Sequence, residues 1–261
     1  MTRLTPVVKN LLILNASMLA LTYILRYFDF DLINILGLYY FKSEYFKPMQ
    51  FITHMFMHAN LLHLFFNMYA LFLFGSILET VWGGKRFFWY YIITGLGAAI
   101  LHTAVNWYTI NDFYNAATTF IENPILQNFQ YLVNHYPEYF NKEAVNQIIN
   151  NWNISDLASL RATVNELVEK RINIPTVGAS GAVFGILIAF GLMFPRVPLF
   201  LFFIPIPIPA KFFVIGYGAL ELISGITMPG DGVAHFAHLG GMIFGFILLK
   251  IWYGKKINRQ N

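Results

Sequence analysis

The chain has no cysteine among its 261 residues. Disulfides, thiolate catalysis and cysteine-held iron–sulfur clusters are therefore excluded. Charge is also scarce. Asp, Glu, Lys and Arg make up 11% of the residues, against about 25% in an ordinary soluble domain. The net charge of +4 is no argument for a nucleic-acid partner, and no internal repeat is visible. What is abundant is apolar: 57% of residues are hydrophobic and 18% aromatic, with a mean hydropathy of +0.55. This balance points to an all-α polytopic membrane protein in a lipid bilayer. The length suits one membrane domain carrying one modest insert.

Apolar runs mark six expected spans: about Leu11 to Leu25, Leu61 to Val81, Phe87 to Tyr108, Ser180 to Phe194, Ala210 to Ile226 and Val233 to Tyr253. The first run lacks a small-x-small cleavage site, so it reads as a helix rather than a signal peptide. Pro195 to Pro209 is a proline-rich connector that cannot be a regular helix. The expected organisation is membrane core over 1–108, a polar insert over 109–173, and core again over 174–261 with a basic tail. Within the insert, Pro137 and Glu138 suggest a helix start. Ser155 and Asp156 suggest the cap of a second helix, whose apolar face is Leu157, Leu160, Val164, Leu167 and Val168. That face requires cover by the rest of the insert, by the lipid interface or by the membrane domain, to whose outer opening its end is tethered close through Gly178.

Six spans put both termini on one side. Lys85, Arg86, Arg196, Lys250, Lys255, Lys256 and Arg259 gather there with almost no acids. The positive-inside rule then makes the termini cytoplasmic and the insert external. The short ends and the lack of a targeting peptide suggest a bacterial cytoplasmic (inner) membrane.

Polar side chains inside spans are costly and mark function. Span two opens with His54, His58, His63 and Asn67; span four opens with Gly178-Ala179-Ser180-Gly181; span six opens with His235-Phe236-Ala237-His238. All three enter from the outside, so His63, Asn67, Ser180 and His238 reach a similar depth. At 1.5 Å per residue His238 lies about 7–8 Å below its outer end. Ser180 needs a base to act as a nucleophile, and the candidates at its depth are histidines. His238 approaches closest if Gly181 and Gly185 face Gly241 and Gly245. Spans four and six offer no carboxylate at that depth, so a Ser-His dyad is expected rather than a triad. His63, Asn67 and the Ser180 N–H can serve an oxyanion.

His63-x-x-x-Asn67, Gly178-x-Ser180-Gly181 and Ala237-His238-x-x-Gly241-x-x-x-Gly245, in this order on spans two, four and six, resemble the rhomboid family of intramembrane serine proteases. The resemblance covers about Met49 to Tyr253, apart from the insert. It implies a six-helix rhomboid-like bundle acting as a serine endopeptidase on transmembrane protein substrates, with no cofactor and no metal. Ser180 would be the nucleophile, His238 the base, and His63 and Asn67 the oxyanion donors. Glu79 falls at a structural glutamate of the family. Phe184 stands where tyrosine is frequent and keeps a ring to pack on the histidine. Met49-Gln50 replaces a Trp-Arg pair common in the first outer loop.

Other readings follow from other residues. His54 with His58, and His235 with His238, have ligand-like spacing for a membrane zinc protein, but no His-Glu-x-x-His is present. A catalytically inactive rhomboid-like protein that binds membrane clients is the further alternative. His54 and His58 read as loop-organising residues, His235 as a support for His238, and His102 and Asn106 as interfacial. Glu221 in span five has no assigned role.

Overall fold

The computed structural model describes residues 3–152, 157–201, 204–228 and 232–253. The principal elements, in chain order, are α1 (Pro6–Arg26), α2 (Leu61–Trp82), α3 (Gly84–Glu122), α4 (Leu126–His135), α5 (Lys142–Asn150), α6 (Leu157–Ile172), α7 (Ser180–Met193), β1 (Pro198–Leu201), β2 (Ile204–Pro209), α8 (Ala210–Thr227) and α9 (His235–Tyr253). They form two compact units. One comprises Met1–Leu38, Lys47–His102 and Pro175–Asn261; the other comprises Tyr39–Phe46 and Thr103–Ile174.

The first unit is a helical membrane bundle that also carries one short β-hairpin. Among the described residues, five helices, α1, α2, α3, α8 and α9, are long and apolar enough to cross a membrane. The expected fourth span is shorter than a bilayer requires: α7 has 14 residues, about 21 Å at 1.5 Å per residue. Its length is not set by hydrocarbon thickness because it is the central helix. Ala182, Val183, Phe184, Ile186, Leu187, Ala189 and Phe190 are all buried in protein. By contrast α8 presents Ile215, Leu220 and Ile226 at 61–66% exposure, the lipid-facing surface of a peripheral span.

Local sequence explains the helix ends. Proline at the first position of α1 fits there because its missing N–H would be unpaired anyway. The buried Glu79 carboxylate caps this helix from α2: it accepts from Val7 N and Val8 N at 2.9 Å each and from Thr5 Oγ1 at 2.5 Å. Asn60 caps α2 by accepting from His63 N at 2.8 Å. A π-helical turn over Leu71–Gly75 interrupts α2. The helix stops at Gly83, whose φ of +79° suits glycine. The proline-rich connector is an antiparallel hairpin, with Leu199 opposite Ile208 and Pro198 opposite Pro209. Pro205 and Pro207 have no N–H to give, so a helix is closed to this stretch.

Two sequence boundaries move. The helix of the third span is longer than its apolar run: it passes Tyr108 and runs on to Glu122. No glycine or proline occurs between Ala98 and Glu122, and the polar residues there leave helical hydrogen bonding intact. The stop comes with Pro124, which disfavours the helical conformation just before it. Pro137 opens only a 3-10 turn, Pro137–Tyr139, and α5 begins instead at Lys142 with Asn141 as its cap. Ser155 and Asp156, proposed as the second cap, lie outside the described residues, as do Lys255, Lys256 and Arg259.

The second unit has its own core of Phe113, Phe120, Phe129, Leu132, Val164 and Val168, all buried. The apolar face of α6 is covered here: Val164 and Val168 belong to this core, and Leu160 and Leu167 pack against it. Arg171 Nε donates to Tyr139 Oη at 2.9 Å, and Ser43 Oγ to Asn173 Oδ1 at 2.6 Å. The unit therefore closes on itself.

Candidate active site

The loop before α7 is tied down on three sides. Leu38 and Thr176 exchange backbone hydrogen bonds of 2.9 and 2.8 Å, and Gly178 N donates to His54 O at 2.9 Å. His102 Nε2 lies 2.8 Å from Thr176 Oγ1. His102, expected at the interface, thus anchors this loop. Gly178 has φ +131°, and a Cβ there would stand 2.8 Å from both Cε1 and Nε2 of His63. Glycine is needed twice over, for the left-handed backbone and for the close approach of the imidazole.

Ser180 is the first residue of α7 and is half-buried. Its Oγ lies 2.8 Å from His238 Nε2. His238 reaches it because α9 approaches α7 closely at its glycines. A Cβ on Gly241 would overlap the Gly181 carbonyl, and one on Gly245 would stand 3.1 Å from Gly185 Cα. Gly181 and Gly185 themselves turn toward α3, where Ala98 and Thr94 fill the space. So α7 is wedged between α3 and α9, each meeting it at a different pair of glycines. Tyr90 Oη donates to Gly185 O at 2.8 Å and pins the same crossing. The His238 ring lies flat on Phe184, with centroids 4.3 Å apart and planes at 5°.

The other edge of His238 faces a group that the reading of spans four and six alone did not include. A carboxylate does sit beside the histidine, and it comes from α8. Glu221 Oε2 is 2.8 Å from His238 Nδ1 and 2.6 Å from His235 Nδ1. Glu221 is only 6% exposed. An ionised carboxylate accepts hydrogen bonds and cannot donate them. Both Nδ1 atoms therefore carry protons in this arrangement, and His238 Nε2 presents its lone pair to the Ser180 hydroxyl. An imidazole so placed can take that proton.

His63 lies in the first turn of α2, its ring 5.0 Å from that of His58. Its Nδ1 accepts a long hydrogen bond of 3.4 Å from Ala59 N. That leaves Nε2, the nitrogen beside Gly178, as the N–H. Asn67 is buried, and its Nδ2 donates to His63 O at 2.9 Å. A side-chain amide has two N–H groups, so one further donor remains to it. His54 sits in the preceding loop with Nδ1 2.8 Å from Gln50 O, and burial lowers its pKa to about 4. Burial, with His63 nearby, lowers His58 to about 3. Both are neutral loop residues at ordinary pH. Gln50, of the Met49-Gln50 pair, is itself buried: it accepts from Lys47 N and donates to Ile35 O, each at 3.1 Å.

Among the described residues, Glu221, His235 and His238 are the set of groups that could hold a metal, their ligand atoms all lying within 4.8 Å of one another. Ligands tetrahedrally bound to one zinc at about 2.0–2.1 Å stand roughly 3.3 Å apart. The 2.6 and 2.8 Å separations are those of N–H···O hydrogen bonds instead. His54 and His58 lie apart from this set.

Compared with known families, the chain matches a family model described as Rhomboid domain over residues 45–111 and 151–255. The searches of curated proteins and of solved structures returned no match.

Proposed function

Because this chain belongs to the rhomboid family and is an integral multi-pass membrane protein, we propose that it is an active intramembrane serine endopeptidase. It cleaves peptide bonds in or near the transmembrane segments of membrane-protein substrates. The observation that carries this reading is the 2.8 Å contact between Ser180 Oγ and His238 Nε2, made at the ends of two apolar helices.

The steps use groups already in place. His238 Nε2 removes the Ser180 proton as Oγ attacks the scissile carbonyl carbon. The oxyanion that forms meets the Ser180 backbone N–H at the start of α7, where helix N–H groups are unpaired and the helix dipole favours negative charge. His63 and Asn67 add side-chain N–H donors, each worth about 3–4 kcal/mol in the transition state. The protonated His238 then gives its proton to the leaving amine. Water, deprotonated by the same imidazole, releases the acyl group. Both termini are cytoplasmic in this reading, so the Ser180 end of α7 faces the outside, and the host membrane is a bacterial inner membrane. A six-helix count follows if α7 is taken as an internal span. The test is cleavage of a model single-span substrate, together with fluorophosphonate labelling, by wild type and by Ser180→Ala. Cleavage and labelling by wild type alone support the reading; equal behaviour of the two proteins overturns it.

A further inference from the structure

Resting on the reading of Ser180 and His238 as nucleophile and base, we infer that Glu221 is the third member of the catalytic array, a positioning residue that holds His238 in its base-competent tautomer. The inference starts from cost. A carboxylate in an apolar helix is expensive unless its oxygens are paired. Among the described residues, its ion-pair partners are two imidazoles and no lysine or arginine. Both imidazoles converge on the same oxygen, Oε2, at 2.6 and 2.8 Å. These are charge-assisted distances. A staple between α8 and α9 needs only one such bond. Here one of the two falls on the ring that also touches Ser180.

The consequence is chemical. The Nδ1 proton of His238 is fixed on Oε2, so the lone pair of Nε2 points at the Ser180 hydroxyl. When Ser180 transfers its proton to Nε2, the ring becomes an imidazolium with Nδ1–H still on Glu221. The carboxylate stays ionised and faces the new positive charge. The proton returns from Nε2 to the leaving amine, and Nδ1 keeps its own throughout. His235 donates a second N–H to Oε2 and restrains the rotation of the carboxylate about its chain. Phe184, stacked on the ring face, fixes the plane but cannot choose the tautomer. That choice falls to Glu221.

The test compares wild type, Glu221→Gln and Glu221→Asp by kcat, KM, fluorophosphonate labelling rate and thermal unfolding in detergent. A glutamine amide is neutral and can donate to Nδ1, which places the imidazole proton on Nε2 and turns it toward Ser180. The corresponding change in soluble serine triads costs about 10⁴ in kcat. The expected result for Glu221→Gln is a fall in kcat of at least about a hundredfold, with KM little changed and labelling slowed in parallel. Glu221→Asp, a shorter carboxylate, should recover part of the rate. A Glu221→Gln protein within about threefold of wild-type kcat overturns the inference and leaves the serine-protease reading standing. So does a Glu221→Asp protein as slow as Glu221→Gln at equal stability, because charge and tautomer would then not be what matters. If Glu221→Gln fails to fold, a folded Glu221→Asp with wild-type kcat supports the inference, and one without activity overturns it. Loss of wild-type labelling on chelation, restored by zinc, would make the same three side chains a metal site and overturn it. A wild type that neither cleaves nor labels overturns the function itself, and the inference with it.

Discussion

Replacing Gly241 by alanine should disable the chemistry without touching a chemical group. A Cβ at Gly241 would overlap the carbonyl oxygen of Gly181 and stand 2.8 Å from its carbonyl carbon and 3.3 Å from its Cα. Those atoms are helix backbone, so no rotamer change relieves the clash. Carbon atoms in ordinary contact lie about 3.5–4.0 Å apart, and α9 must therefore withdraw from α7 by about 1 Å. The Ser180–His238 bond is 2.8 Å long; a displacement of about 1 Å carries it past the range of a hydrogen bond. Misplacement of that size costs about a hundredfold in rate, and overpacking costs about 1–3 kcal/mol of stability. Gly216→Ala is the matched control. It lies on α8 with no neighbouring atom within 4 Å of an added methyl, and alanine in place of a helical glycine stabilises by about 0.5–1 kcal/mol. The assay is fluorophosphonate labelling and thermal unfolding of both variants in detergent. The same added methyl should slow labelling and lower Tm at 241, and leave labelling unchanged with Tm level or higher at 216. A Gly241→Ala protein that labels and unfolds like wild type would refute the claim that backbone contact between α7 and α9 sets the Ser-His geometry.

His63→Ala and Asn67→Ala should lower kcat more than they raise KM, because oxyanion hydrogen bonds strengthen as charge develops; a pure rise in KM would assign both residues to substrate binding. Glu79→Ala removes three hydrogen bonds that cap α1 and should cost about 1–3 kcal/mol of stability, while the folded fraction labels at the wild-type rate; an unchanged Tm would show the cap to be dispensable. The His54 pKa of about 4 lies below the unfolded value of about 6.5, so the unfolded chain binds more protons between these values. Its contribution to stability, about 3 kcal/mol, is full above pH 6.5 and is lost as pH falls toward 4. Unfolding curves of wild type and His54→Gln should therefore differ in slope over pH 4–6.5, and parallel curves would sink the account.

The membrane character of the fold was readable because its cause is compositional. A chain with 11% charge and repeated apolar runs has few soluble options. Helix ends were less readable where no residue enforces them. The polarity change after Tyr108 suggested an end to the third span, yet helix propensity differs little among Asn, Asp and Thr, and α3 continued to the first strong breaker, Pro124. Glycines in α7 and α9 pointed to close packing, but not to which face meets which partner. That Gly181 and Gly185 turn toward Ala98 and Thr94 while Gly241 and Gly245 turn toward α7 depends on the rotation of three helices, and spacing alone leaves that rotation open.

The carboxylate at His238 was hidden for a different reason. Matching depth across spans two, four and six gathers Ser180 with the histidines and passes over span five, which enters from the other side. Yet α8 and α9 are consecutive helices joined by the short connector 228–234, and for such a hairpin depth is counted from the connector in both directions. Glu221 lies six residues before Thr227, or about 9 Å from that end; His238 lies three residues after His235, or about 4.5 Å. A glutamate side chain spans the difference. An unpaired carboxylate that deep is a cost of several kcal/mol, so the sequence already required a partner for Glu221 near the outer end of the neighbouring helix. The polar side chains there are His235 and His238. Their spacing of three puts both on one face of α9, and that face must then be turned to α8. Once it is, Nδ1 of His238 is committed to Glu221, and Nε2 is the nitrogen left for Ser180.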